Sequence, residues 1–260
     1  MTRSGILLDR ADLSLTNSAR TFDYLDRGKD SWEQDRHVAG LMAEASPDLV
    51  DQMAAHREAR ETILSAVCRA CAQVVVLGCG APATYQPAHE YARVEWGSRA
   101  RTVYVDHDLA VLAAVRAWWE RPARLRDQDV RVLDWDLRDA EGLVGELDRL
   151  VDLSEPVGVV TTLVLDHLDD YEAGQLAKET AARLTLGSRW GITHLADAWG
   201  AADAYTHHAR DQGADTQLVA RTQPELRELL GYRTSWGWWE DLTPRHSGAQ
   251  QPITDLVTLI

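Results

Sequence analysis

The chain has 260 residues, 45% of them hydrophobic, which suits one large domain or two small ones with a substantial core. Its 27 basic and 41 acidic residues leave a net charge of −14, a field that repels phosphate backbones and anionic membrane surfaces, so neither nucleic acid nor a membrane is an expected partner. No apolar run reaches the roughly 20 residues of a bilayer span, and the first residues lack the apolar core and cleavage site of a signal peptide, so a cytoplasmic protein is expected.

The first seventy residues read as helices and are expected to form an N-terminal cap over residues 1–70. Ala19, Phe22 and Leu25 share one helical face. Ser46-Pro47-Asp48 reads as an N-cap followed by proline at the first helical position, opening a helix whose Leu49, Met53, Ile63, Val67 and Cys71 form an apolar stripe with a polar middle. Cys68 and Cys71 have the C-x-x-C spacing of redox or zinc sites, but no second pair of ligands follows, and two small apolar residues on a helix are the better account of them. No metal is expected.

From Val74 the pattern changes. Short β-branched runs at Val74–Leu77, Thr102–Val105, Val130–Leu133, Val157–Leu163 and Trp190–His194 alternate with helical segments, which predicts a parallel sheet covered by helices over residues 71–260. "PELRELLGY" reads as a helix stopped by Gly231, and "RTSWGWWEDL" and "ITDLVTLI" as two closing antiparallel strands. The fold class is therefore α/β, Rossmann-like and doubly wound.

Ligands of such sheets sit at the carboxyl ends of the strands. Strand one ends in Gly78-Cys79-Gly80, where glycines allow a tight turn and a close backbone approach, although a plain strand-to-helix turn would look the same. Strand two ends at Asp106, whose two oxygens can accept from both hydroxyls of a ribose; Asp108 suits the cap of the next helix. Strand three leads to Asp136 and Leu137, a carboxylate and a backbone N–H suited to the edge of adenine, in a "DLRDA" stretch that also suits a helix cap. Together they suggest an adenosine-containing ligand. For a dinucleotide such as NAD, Pro82 and Ala83 make a poor start to the pyrophosphate-binding helix, and no basic residue stands near. An acid-lined site suits the sulfonium of S-adenosylmethionine (SAM).

The stretch "NSARTFDYLDRGKDSWEQDR", Asn17 to Arg36, resembles the opening motif of an actinobacterial SAM-dependent methyltransferase family long catalogued as domain of unknown function 574. Ala19, Arg20, Phe22, Asp23, Tyr24, Gly28, Lys29, Asp30, Trp32, Asp35 and Arg36 stand in register with that motif, and the likeness continues to about Ala196. It implies a class I methyltransferase fold. Gly78, Cys79 and Gly80 would approach the methionine part of SAM, Asp106 the ribose, and Asp136 with Leu137 the adenine, with His107 and Leu163 as further cofactor contacts. The opening motif would close as a lid, bringing Tyr24, Arg20 and Lys29 near the methionine end or the acceptor. Two positions depart from the family: Cys79 stands where threonine is usual, and strand four runs into Asp166-His167 where a single histidine is usual.

Methyl transfer from SAM needs positioning, and a base only when the nucleophile arrives protonated. His167, Asp166 and His194 follow strands on the ligand side and are the candidate catalytic groups; each also suits a strand-end cap. His207 and His208 read as a solvated pair on a surface helix. Trp236, Trp238 and Trp239 suit either a flat aromatic acceptor or outer-strand packing. The expected activity is SAM-dependent methylation of a small molecule in secondary metabolism, with a flat aromatic metabolite as the preferred acceptor. A non-methylating SAM enzyme on the same fold, or a non-catalytic SAM-binding protein, are the alternatives.

Overall fold

A computed structural model describes residues 15–81, 86–119, 129–195, 199–214, 216–231, 237–241 and 253–259. Pro82, Ala83 and Trp236 lie outside the described residues, as do the side chains of Trp118, Trp119, Trp238 and Trp239. Seven strands form one sheet: β1 (Gln73–Leu77), β2 (Arg101–Asp106), β3 (Asp129–Asp134), β4 (Val157–Thr162), β5 (Arg189–His194), β6 (Gly237–Asp241) and β7 (Ile253–Leu259). Their order is β3-β2-β1-β4-β5-β7-β6. The first five strands are parallel; β7 runs antiparallel between β5 and β6. The order reverses between β1 and β4, which opens a crevice at their carboxyl ends.

Nine helices are described: α1 (Ser18–Leu25), α2 (Glu33–Ala45), α3 (Leu49–Ala70), α4 (Ala88–Trp96), α5 (Leu109–Trp119), α6 (Ala140–Leu147), α7 (Asp170–Arg183), α8 (Trp199–Asp211) and α9 (Gln223–Leu229). Alternation along β1 sends Val75 and Leu77 to one core with α6 and α7, and Val74 and Val76 to another with α3, α4 and α5. Every residue of β1 is buried, which explains its unbroken apolar run. A third cluster lies over the strand ends, where Phe22, Val38, Met42, Leu49 and Met53 of α1, α2 and α3 and Tyr205 of α8 meet Leu163 and Leu195.

Helix α3 belongs to two layers. Leu49 and Met53 join the cap cluster, while Ile63 and Val67 press on β5 and β4, where a side chain at Gly191 or Gly158 would overlap them. The expected cap at Ser46 is corrected. Ser46 ends α2, and its hydroxyl accepts from Ala201 N at 2.9 Å; Asp48, without a side-chain capping bond, precedes α3. Cys68 and Cys71 are buried free thiols, which burial pushes up to about 12 and about 11 respectively. Among the described residues no cluster of groups could hold a metal ion, and no helix is long and apolar enough to cross a membrane.

Candidate active site

A cavity of about 800 Å³ opens at the carboxyl ends of β1 to β4, walled by α1, α3 and the segment after α8. On its first wall β1 breaks into the glycine turn, where the N–H groups of Gly78 and Cys79 donate to Val105 O at 2.8 and 3.1 Å. Gly78 and Gly80 both have φ +64°, and a Cβ at Gly78 would strike Val164. Asp106 ends β2 and accepts Gly80 N at 3.2 Å and Asp108 N at 3.0 Å. Burial holds its carboxyl above the usual carboxylate range. The Cys79 thiol donates to Asp106 at 3.7 Å. Burial pushes that thiol well up.

Both sequence ambiguities about caps are resolved. Asp108 caps α5, accepting Ala110 N at 2.7 Å and Val111 N at 3.0 Å, and Asp139 caps α6. Asp106 and Asp136 both line the cavity. Hydrogen bonds from Arg138 hold the Asp136 carboxyl below its usual range, and Leu137 is buried beside it. His107 is exposed at the cavity rim.

The second wall is the Asn17–Arg36 motif. Asn17 caps α1, accepting Arg20 N at 3.0 Å, and its amide donates to Asp108. Buried Asp35 collects Arg20 Nε at 2.6 Å, Asn17 N at 2.9 Å and Trp32 N at 2.9 Å, clamping the starts of α1 and α2 together. Arg20, Phe22 and Asp23 line the cavity. Tyr24 does not: it is 42% exposed on the far side of α1, and Lys29 is also exposed. The reason is helical rotation, which turns a residue beside Asp23 away from the strand ends.

The third wall follows β4. Leu163 is buried with φ +53°, and a single 3₁₀ turn, Leu165–His167, comes next. His167 lines the cavity and donates from Nδ1 to Gln217 O at 2.9 Å. The neutral ring then carries its lone pair on Nε2. Desolvation keeps its pKa below the ordinary histidine value. Phe22 stands edge-on to this ring at 6.0 Å.

Asp166 and His194 are corrected as candidate catalytic groups. Neither lines the cavity, and they are 2% and 0% exposed. Asp166 accepts Leu195 N at 3.1 Å and lies 3.1 Å from His194 Nδ1, which bonds Leu195 O. Arg221 stands 3.5 Å from His194 Nε2 and donates to Leu165 O and Leu168 O, both at 2.8 Å. This network ties the turn after β4 to the segment after α8. His207 is exposed as expected, whereas His208 packs its ring against His37 at 5.3 Å.

His56 is among the cavity residues that escaped the sequence reading. His56 of α3 lines the cavity, is 3% exposed, and meets Thr193 Oγ1 at 3.0 Å through Nε2. Burial, helped by the charge of Arg60, pushes its pKa down to about 3. The signal was spacing: positions 49, 53, 56, 60, 63 and 67 form one helical stripe, so the polar residues of its middle point inward too.

Residues 6–233 match the model of the S-adenosyl methyltransferase family. The chain belongs to that family. A protein of Thermobifida fusca YX assigned as a methyltransferase shares the fold with a TM-score of 0.80 at 23% identity, over 95% of this chain and 96% of its own. A DUF574 family protein of Streptomyces avermitilis MA-4680 does so with a TM-score of 0.79 at 21% identity, over 96% and 99%. More distant is the Burkholderia thailandensis 1,6-didemethyltoxoflavin-N1-methyltransferase, solved with 1,6-didemethyltoxoflavin and S-adenosylhomocysteine, with a TM-score of 0.51 at 17% identity, over 87% and 86%. None of the curated proteins matches the chain.

As an S-adenosyl methyltransferase with the class I, Rossmann-like fold, the enzyme uses SAM, and the nicotinamide alternative falls away. The cavity of this methyltransferase fits that cofactor. The Cβ position of Gly80 is open space, and Asp106 and Asp136 offer acceptors to hydroxyl and amino groups. The lining is mixed in charge, with Arg20, Arg60, Arg138 and Arg210 beside Asp23, Asp106, Asp108, Asp136 and Glu172, so the acid-lined site expected from the sequence is corrected.

Proposed function

We propose that this methyltransferase acts on an oxygen or nitrogen atom of a small-molecule acceptor, a compound of secondary metabolism, with His167 as the general base. The observation that carries this reading is the His167 ring, anchored through Nδ1 to Gln217 O and presenting a basic Nε2 on the cavity wall. When bound, SAM supplies an electrophilic methyl group that needs no further activation. Gly78, Cys79 and Gly80 would hold its methionine part, Asp106 the ribose, and Asp136 with Leu137 the adenine, with His107 at the rim. The cap helices α1 and α2 serve as the lid: Arg20, Phe22 and Asp23 exclude water from the reacting atoms, and Phe22 steadies the base. His167 removes a proton from the acceptor at Nε2, and Gln217 O stabilises the cation that forms.

A cavity of about 800 Å³ has room for the cofactor and a compact partner, which supports a small acceptor. The Burkholderia enzyme, solved with a small heterocycle in place, is a precedent on the same fold. Screening small hydroxyl and amine compounds for S-adenosylhomocysteine release, with product mass, tests the reading. It expects a product heavier by one methyl group. It also expects His167→Gln to lower turnover by about 10² to 10⁴ while S-adenosylhomocysteine still binds. Full turnover by His167→Gln, or a product without the methyl mass, would overturn it.

A further inference from the structure

Helix α3 carries its apolar stripe onto the sheet through Ile63 and Val67, but where it crosses the strand ends the stripe turns polar, at His56 and Arg60. His56 hangs over β5 through Thr193. The residues that fit SAM belong to β1, β2 and the segment after β3, on the other side of β4 in the strand order. His56 therefore occupies the acceptor half of the cavity, together with Leu163 and His167.

The Nδ1 atom of His56 is buried and has no hydrogen-bond partner among the described residues. A buried polar atom left unpaired is costly, and a ligand group that pairs with it recovers that cost on binding. The Thr193 hydroxyl can donate to Nε2 or accept from it, so Nδ1 offers either an N–H or a lone pair. A hydroxyl or amino group satisfies both cases, because it donates and accepts. Phe22 and Leu163 line the same cavity and give it apolar surface.

We propose that His56 is a second anchor for the methyl acceptor, holding through Nδ1 a hydroxyl or amino group other than the one that His167 deprotonates. This rests on the functional reading above. It assigns the substrate class: a small, apolar-bodied molecule with two hydroxyl or amino groups, one for each histidine. His56 stays neutral through the physiological range, because burial and Arg60 hold its pKa at about 3, so it orients the acceptor without exchanging protons with it.

The test uses the full chain, labelled with ¹⁵N-histidine and saturated with S-adenosylhomocysteine. Catechol, resorcinol and 2-aminophenol are titrated in, with phenol as the single-group control. The expected result is a movement of the His56 Nδ1 resonance, assigned by its loss in His56→Gln, by at least one two-group compound. That compound should bind about tenfold tighter than phenol, and His56→Phe and His56→Gln should erase the preference while S-adenosylhomocysteine affinity holds. An unmoved Nδ1 resonance, a preference that survives both variants, or no saturable two-group binding overturns the proposal alone. Failure of the wild type to bind S-adenosylhomocysteine overturns the functional reading and this proposal with it.

Discussion

Asp166 and His167 are adjacent, yet they face opposite ways. Their 3₁₀ turn rotates each residue by about 120° from the last, so His167 reaches the cavity while Asp166 turns to the backbone of Leu195. This is why strand-end position alone selected three catalytic candidates from the sequence and the structure keeps one at the cavity. The sequence shows where a strand stops; it does not show the sense of the turn that follows. His167 also carries a pH prediction. Its pKa is lowered by desolvation, so the neutral base persists as pH falls through the ordinary histidine value. The kcat/KM profile should stay level from pH 8 down to about 6.5 and fall only below that. An acid limb with its midpoint above pH 7 would contradict this assignment.

Among the elements, the strands were the most legible. The five parallel strands were visible as short runs rich in apolar or β-branched residues, most clearly β1, which is buried throughout, and less so β3, which is half-buried and carries Arg131. The boundary of β4 was less so, because Leu163 adopts a positive φ and leaves the strand one residue early. The cap motif was legible through family resemblance, but its mechanics were not. Arg20 and Asp35, fifteen residues apart, form a buried pair with side chains 10% and 0% exposed. Asp35→Ala leaves the guanidinium without its partner and two backbone N–H groups without an acceptor. The variant should lose about 3–5 kcal/mol of stability, read as a lower urea midpoint at unchanged slope, and faster amide exchange in α1 and α2. A second packing contact tests the sheet. Gly191→Val drives a side chain into Ile63 of α3 and should cost about 1–3 kcal/mol by the same measurement.

At the scale of the whole molecule, buried neutral histidines couple folding to pH. His56 is held at about 3 and His89 at about 4, both chiefly by burial, against about 6.5 in the unfolded chain. As pH falls from 6.5 towards 4, the unfolded state gains protons that the folded state refuses. Stability therefore falls with falling pH, by about 1.4 kcal/mol per pH unit for each of the two groups. Asp106, with its raised pKa, opposes this trend in the carboxylate range. Urea unfolding at pH 7, 6 and 5 should show the decline, and His89→Gln should reduce its slope. In the proposed reading, the cavity at the strand ends takes SAM with its ribose on Asp106. Calorimetric titration of S-adenosylhomocysteine into the wild type and Asp106→Ala, side by side, tests it most directly. The account predicts one-to-one binding by the wild type and about a 10- to 100-fold loss in the variant. Equal affinity in the two proteins would contradict it.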